Sequence, residues 1–344
     1  MAKQSVCLPT FNGERFVAEA IQSILAQTFE DFELVIVDDC SDDRTREIVG
    51  SFADPRMVVY QNDRRLGIPG NWNRCIELAR GEYVCVFHQD DLMLPENLAR
   101  KVPVLDAHPT VGMVHSAVEL RTEEPAPPVS DTWLEQSPED LVSDGRTYFH
   151  KLLLRQNCIC APTVVGRREL ITRLGGFNEG LGFACDYELW MRMCLEAGVA
   201  YLNTPLVVYR WHAQNASHHF RFERGLAEAQ SAAQGALKYY REKTGADAEA
   251  DCLAEALEAL GEARRWAVEL ERAREWLEQQ VQNWRGEAAH LGDVIAGLEE
   301  QNARCQQATE VRERYLKSLE AHLPFRVLAR LGLLPRRSAS NHES

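Results

Sequence analysis

The sequence predicts an α/β protein: a mostly parallel sheet covered by helices, followed by a long helical extension. Three observations carry this. Short apolar runs alternate with stretches of helical periodicity through the first part of the chain. Two of those runs end in adjacent carboxylates, Asp38-Asp39 and Asp90-Asp91. After His219 the composition turns to Ala, Glu, Gln, Arg and Leu, and from Leu270 to Leu319 a four-three spacing holds.

Ser5 to Leu8 reads as a strand feeding the turn Pro9-Thr10-Phe11-Asn12-Gly13, where Asn12 or Gly13 is placed to cap a helix. Phe16, Val17, Ala20, Ile21, Ile24 and Leu25 then give one buried helical stripe ending near Thr28. Phe32 to Val37 is apolar enough to be buried on both faces, as in a parallel sheet. Ser41 or Asp42 is placed as N-cap of the next helix, with Asp42 and Asp43 at the positive end of its dipole. A third strand spans Met57 to Tyr60. A polar loop from Asn62 to Gly70 precedes a helix from Asn71 to Ala79, with Gly81 read as its C′ glycine. Tyr83 to Phe87 is the fourth strand and runs into His88-Gln89-Asp90-Asp91.

A helix follows from Pro95 to about Asp106, interrupted or ended at Pro103, and Val111 to Leu120 contains a strand. The acidic, proline-rich stretch from Arg121 to Ser143 reads as a lid or a solvated surface excursion. Tyr148 to Leu154 reads as helix and Ala161 to Val165 as strand. Leu189, Met193 and Ala197 share a helical face that puts Asp186 in the first turn. Leu206 to Tyr209 is the last strand. Right-handed βαβ connections place ligands at the carboxyl ends of such strands, so the two acidic pairs should face one crevice.

The chain has 344 residues and a formal charge of −14, which argues against nucleic acid or a general anionic surface as partner. Its ten cysteines show no zinc or disulfide spacing, which favours a reducing, cytoplasmic setting. No leader pattern opens the sequence, and no apolar run reaches the roughly 20 residues needed to span a bilayer.

Adjacent aspartates after a buried strand make a physically sensible Mg²⁺ or Mn²⁺ site, because hard cations take carboxylate oxygens and share the rest of their shell with phosphates. Helix capping is the competing explanation for Asp90-Asp91. The second acidic pair, and the isolated Asp186 about a hundred residues later, favour function. A metal-bound diphosphate needs an acid for the ion, polar groups for the nucleoside and a separate base for an attacking hydroxyl.

Pro9-Thr10-Phe11-Asn12, Ser23 to Thr28, Val37 to Asp43, Gly81-Glu82-Tyr83, Gln89-Asp90-Asp91, Gly175-Gly176-Phe177, Cys185-Asp186 and Tyr209-Arg210-Trp211-His212 stand in this order. In these pieces the chain resembles the family 2 glycosyltransferases, which have the GT-A fold, over roughly Ser5 to His219. The resemblance implies inverting transfer of a sugar from a nucleotide donor, a UDP- or dTDP-sugar favoured, to a glycan or lipid-linked acceptor in surface polysaccharide or glycoconjugate assembly. It implies that Asp39 binds the base, with Pro9, Thr10 and Glu14 lining the same pocket. Asp90 would touch the ribose or donor sugar, Asp91 would bind the metal, and Asp186 would be the general base. His212 falls where the family closes a loop over the diphosphate, which implies a phosphate or metal contact, with a merely solvated loop histidine as the alternative. His88 departs from the pattern, which often has an acid there. A catalytically silent GT-A binding module, scaffolding other synthases, is the alternative.

The organisation read from the sequence is a GT-A domain over 1–220, a connecting helix over 221–246, a helical coiled-coil region over 247–320 and a basic, apolar tail over 321–344. β-branched residues such as Val281 and Ile295 at a, Leu277, Leu291 and Leu298 at d, and Asn302 at a favour a parallel homodimer, with a helical hairpin folded back on its own domain as the alternative. Pro324 to Arg337 has the composition of a segment that rests on an anionic membrane surface, giving a peripheral contact at its cytoplasmic face, with a helix capped by a disordered tail as the alternative.

Overall fold

The computed structural model describes residues 2–122, 134–135, 137–215 and 223–245, with scattered residues between 254 and 318. The chain divides into two compact units, Met1–Ala250 and Asp251–Ser344. In the second unit every described residue is helical. Most of the heptad run, the whole basic tail and most of the proline-rich stretch lie outside the described residues.

The first unit opens with β1 (Gln4–Thr10), α1 (Val17–Leu25), β2 (Phe32–Asp38), α2 (Thr45–Gly50), β3 (Met57–Gln61), α3 (Gly67–Leu78) and β4 (Tyr83–Val86). It continues with β5 (Leu92–Met93), α4 (Asn97–Ala107), β6 (Val111–Thr122), β7 (Leu141–Ser143), α5 (Gly145–Arg155), a 3₁₀ turn (Ala161–Thr163) and β8 (Val165–Arg167). The last elements are α6 (Arg168–Arg173), α7 (Cys185–Cys194), β9 (Gly198–Trp211) and α8 (Glu223–Thr244).

One sheet runs through the unit in the order β3-β2-β1-β4-β8-β6-β9-β5, with β7 also on β9. β3, β2, β1 and β4 are mutually parallel, and β9 is parallel to β6. β8 lies antiparallel between β4 and β6 and joins the two parallel parts. The core forms where strand residues such as Val6, Leu8, Leu34 and Ile36 meet Val17, Ile21 and Ile24 of α1. Each such side chain contributes about 1.5–3 kcal/mol by leaving water.

Chain order reverses at β1, with β2 and β3 on one side and β4 on the other. β1 stays paired with β2 as far as Thr10↔Asp38, but its register with β4 ends at Cys7↔Val86. The two strands therefore part at their carboxyl ends, which is the switch point where open α/β sheets bind ligands. Pro9 lies just beyond the β4 pairing, where a missing N–H breaks no ladder bond on that side.

Several local expectations are corrected. α1 begins at Val17 with neither Asn12 nor Gly13 as cap; Gly13 O instead accepts from the N–H groups of Phe16 and Val17, and Asn12 is left-handed at φ 46°. The start of α2 is held by Asp43, which accepts from Thr45 N, while Ser41 turns to Asp38 and Asn12 N. α3 starts four residues early because Asp39 fixes its first turn. Gly81 is no left-handed cap: a Cβ there would lie 2.6 Å from Ser5 N, so close approach to β1 demands glycine. α4 runs through Pro103, which lies on the exposed face of the helix. Ala161–Thr163 is a 3₁₀ turn, and the strand follows it at Val165. α8 is more than a connection: Ala232, Ala233, Ala236 and Leu237 are buried, and Tyr240 stacks on Phe149 of α5 at 5.4 Å.

Candidate active site

β4 delivers the acidic pair. After Val86 the chain makes a turn in which Asp91 N donates to His88 O over 3.3 Å, before β5 begins at Leu92. Gln89 fastens this turn to the end of β1: its Oε1 accepts from Phe11 N at 3.0 Å and its Nε2 donates to Phe11 O at 2.8 Å. The acidic turn and the Pro9-Thr10 end of β1 are thus tied across the switch point.

Asp91 is fully buried. Its Oδ1 accepts from Arg210 N at 2.9 Å. Among the described residues its Oδ2 takes no hydrogen bond and lies 3.5 Å from His88 Nδ1. Burial, reinforced by the Asp90 charge, pushes Asp91 up to about 6 against the pull of His88. Burial is the largest influence on Asp90, but the hydrogen bond from His212 together with the charges of His88 and His212 outweighs it and holds the carboxyl below its ordinary value. His212 Nδ1 accepts from Gln214 N at 3.2 Å, so its proton sits on Nε2, which donates to Asp90 Oδ2 over 3.1 Å. Asn215 Nδ2 reaches the same oxygen at 3.4 Å. His88, Asp90 and Asp91 each offer a ligand atom, all within 4.8 Å of one another.

Arg210 holds this arrangement from behind. Its Nε donates to Asp90 O, its Nη1 to Glu19 at 2.6 Å, and its guanidinium lies 4.6 Å from the Phe16 ring centre. The sequence showed Arg210 within a motif but gave it no role. The signal was present: an arginine ending a buried strand needs carbonyl or carboxylate partners.

Asp186 occupies the first turn of α7. Its Oδ2 accepts from Asn157 Nδ2 at 3.0 Å and its Oδ1 from Tyr187 N at 2.6 Å. Burial still dominates and raises its pKa to about 6. Asp186 and His88 feel each other's charge, so the two groups lie near one another. On the far side of His88 stand Trp72 of α3, with ring centres 5.3 Å apart, and then Phe177. Asn73 exchanges two hydrogen bonds with the Phe177 backbone, and a Cβ on Gly176 would lie 2.5 Å from Asn73 Oδ1. Gly176-Phe177 is thereby pinned to α3. Asn157 escaped the sequence reading because only the fold brings it to Asp186.

The second acidic pair divides its work. Asp38 accepts from Thr10 Oγ1 at 3.2 Å and from Ser41. Asp39 Oδ1 accepts from Asn62 Nδ2 and Leu66 N, both at 2.8 Å, and its Oδ2 from Gly67 N at 2.9 Å. The carboxylate so shapes the 62–67 loop. Arg65 of that loop lies over the Phe11 ring at 3.7 Å. Pro9, Thr10 and Asp39 sit together at the end of β1 and β2. Glu14 stands apart: it is exposed and accepts from Arg44 N at 3.1 Å at the start of α2.

Residues 5–173 match the sequence model of glycosyl transferase family 2. The chain is 30% identical over 228 residues to an uncharacterised protein of Mycobacterium tuberculosis, covering 60% of this chain and 66% of that one. It is 26% identical over 209 residues to an uncharacterised glycosyltransferase of Rickettsia typhi, covering 60% and 64%. The match spans just under two thirds of these relatives' own length. Among solved structures, S. aureus TarS in complex with UDP-GlcNAc aligns with a TM-score of 0.58 at 22% identity, over 73% of this chain and 70% of that one. The mannosyltransferase PcManGT from Pyrobaculum calidifontis, in complex with GDP-Man and Mn²⁺, aligns with a TM-score of 0.53 at 21% identity, over 90% and 87%. At these identities the likeness establishes a shared GT-A-like fold.

Proposed function

We propose, from the premise that this chain belongs to the family 2 glycosyltransferases, that it moves a sugar from a nucleoside-diphosphate donor to an acceptor hydroxyl with inversion at the anomeric carbon. One observation carries the reading. Asp91, sealed with one oxygen unclaimed, and Asp186, half-buried and raised to about 6, both lie within electrostatic reach of His88.

Asp91, with Asp90 beside it, would hold Mg²⁺ or Mn²⁺. The donors are hard oxygens, and the buried, unpartnered Oδ2 is an atom that a cation would satisfy. When bound, the cation supplies positive charge against the diphosphate. Asp186 accepts the acceptor's proton as its hydroxyl oxygen attacks the anomeric carbon from the face opposite the leaving diphosphate, and that displacement inverts the centre. A pKa near 6 keeps Asp186 ionised at neutral pH, yet more basic than a surface carboxylate. His212 and Asn215 orient Asp90 toward the hydroxyls of the ribose or donor sugar. Asp39 uses three of its roughly four acceptor positions on Asn62, Leu66 and Gly67, leaving one for a base N–H. Pro9 and Thr10 would border the same pocket, whereas Glu14, held at the start of α2, stands outside it. His212 lies close enough to Asp90 to meet a donor phosphate as well.

Structures of similar fold hold UDP-GlcNAc and GDP-Man, which supports a nucleotide-sugar donor. A UDP- or dTDP-sugar is favoured. The acceptor would be a glycan or lipid-linked hydroxyl in surface polysaccharide or glycoconjugate assembly, and the heptads would make a homodimer. Among the described residues no helix is long and apolar enough to cross a membrane. Release of nucleoside diphosphate from a panel of nucleotide sugars with Mn²⁺ tests the proposal. Turnover of one donor supports it; binding without turnover of any would favour the silent module.

A further inference from the structure

We propose that His88 is itself a ligand of the cation, so that His88, Asp90 and Asp91 form a mixed nitrogen–oxygen site that prefers Mn²⁺ to Mg²⁺. The inference rests on the metal-dependent reading above and concerns the residue that departs from the family pattern.

The geometry is that of two ligands awaiting a third party, not of a closed ion pair. His88 Nδ1 and Asp91 Oδ2 are 3.5 Å apart, beyond a good hydrogen bond. Ligands with bonds of about 2.1 Å stand about 3.0 Å apart when adjacent on an octahedron and about 4.2 Å apart when opposite, and the observed gap falls between. Asp90 brings a third ligand atom, with all three within 4.8 Å of one another.

Two independent features point the same way. Asp91 is 0% exposed, and among the described residues its Oδ2 has no hydrogen-bond donor. A carboxylate oxygen left so in a buried site is costly unless a cation meets it. The imidazole, in turn, is held in place before any ligand arrives. The His88-to-Asp91 turn sets its root, Trp72 packs beside its ring, and Phe177 packs edge-on behind Trp72. Preset orientation is what a ligating histidine requires.

Donor chemistry sets the selectivity. Imidazole nitrogen binds first-row transition ions readily, whereas Mg²⁺ favours oxygen and water. An acid at position 88 would give an all-oxygen site. His88 replaces one of those oxygens by nitrogen and removes a negative charge, which weakens the hold on Mg²⁺ most.

The test is pulsed electron paramagnetic resonance on the full chain with Mn²⁺, with and without UDP, for wild type, His88→Gln and His88→Asp. The expected result is imidazole ¹⁴N modulation in wild type and none in either variant. Competition with Mg²⁺ should show the Mn²⁺ preference shrinking about 10-fold or more in His88→Asp, the scale on which altered metal sites change affinity. Mn²⁺ bound by wild type without nitrogen modulation, or modulation that persists in His88→Gln, would overturn the role of His88 and leave metal dependence standing. No Mn²⁺ bound by wild type with or without UDP would overturn the metal-dependent reading itself.

Discussion

The backbone N–H of Arg210 donates to Asp91 Oδ1 over 2.9 Å, joining residues 119 apart in sequence and fixing the buried carboxylate from the last strand of the sheet. The Arg210 side chain adds bonds to Asp90 O and Glu19. Arg210→Met keeps the backbone bond but strips the guanidinium from Asp90 O and Glu19. Charge-assisted bonds of this kind contribute about 1.5–3 kcal/mol each, so a loss of about 2 kcal/mol is expected. Thermal unfolding should show it as a Tm fall of several degrees, with transfer reduced about tenfold as the acidic turn loosens.

Asp186 predicts the pH profile. Burial raises its pKa to about 6, and a general base works only when ionised. The rate should therefore be level above pH 7 and fall about tenfold per unit below pH 6. Asn157→Ala removes a donor that favours the ionised form, so the limb should move upward by about half to one unit. A limb near pH 4 in the wild type would contradict the assignment of Asp186.

Lys101 of α4 predicts a pH dependence of stability. It is fully buried, donates to Thr163 O at 2.6 Å, and burial lowers its pKa from 10.5 to about 7. Between these values the unfolded chain binds a proton that the folded protein does not. Lys101 should therefore add stability as pH rises from 7 to about 8, by at most about 1.4 kcal/mol per unit, before the buried cysteines, whose thiols are pushed up by burial, begin to oppose it. The difference between wild type and Lys101→Met, in denaturant unfolding at several pH values in that window, should show this slope.

Gly81 and Gly50 make a matched pair. A Cβ at Gly81 would meet Ser5 N at 2.6 Å and Gln4 C at 2.7 Å, both backbone atoms, while one at Gly50 would meet nothing within 4 Å. Gly81→Ala should cost about 1–3 kcal/mol, and Gly50→Ala, in the last turn of α2, should be neutral or stabilising by about half a kcal/mol. Chemical denaturation of the two variants measures the contrast.

The strands and helices from Gln4 to Val86, with Asp90-Asp91 after a strand and Asp186 in a helix's first turn, were legible because apolar periodicity and charge at element ends are local signals. Helix starts were not. The loop bond from Asp39 to Gly67 N begins α3 early, and no pattern within α3 announces it. Gly81 looked like a cap because sequence shows only that a glycine is needed, not that β1 passes behind it. Arg210 and Asn157 were missed for one reason: their partners, Asp91 and Asp186, are 119 and 29 residues away. Only the folded sheet turns those separations into contacts.

The central claim is that Asp186 takes the acceptor's proton while Asp91 anchors the donor side. Asp186→Asn keeps the size of the side chain and one of its two accepted bonds, from Tyr187 N or Asn157 Nδ2, but cannot accept that proton. Single-turnover transfer, measured beside donor affinity with Mn²⁺ present, should fall about 10²-fold or more while donor affinity changes little. Near wild-type transfer by purified Asp186→Asn would contradict the account.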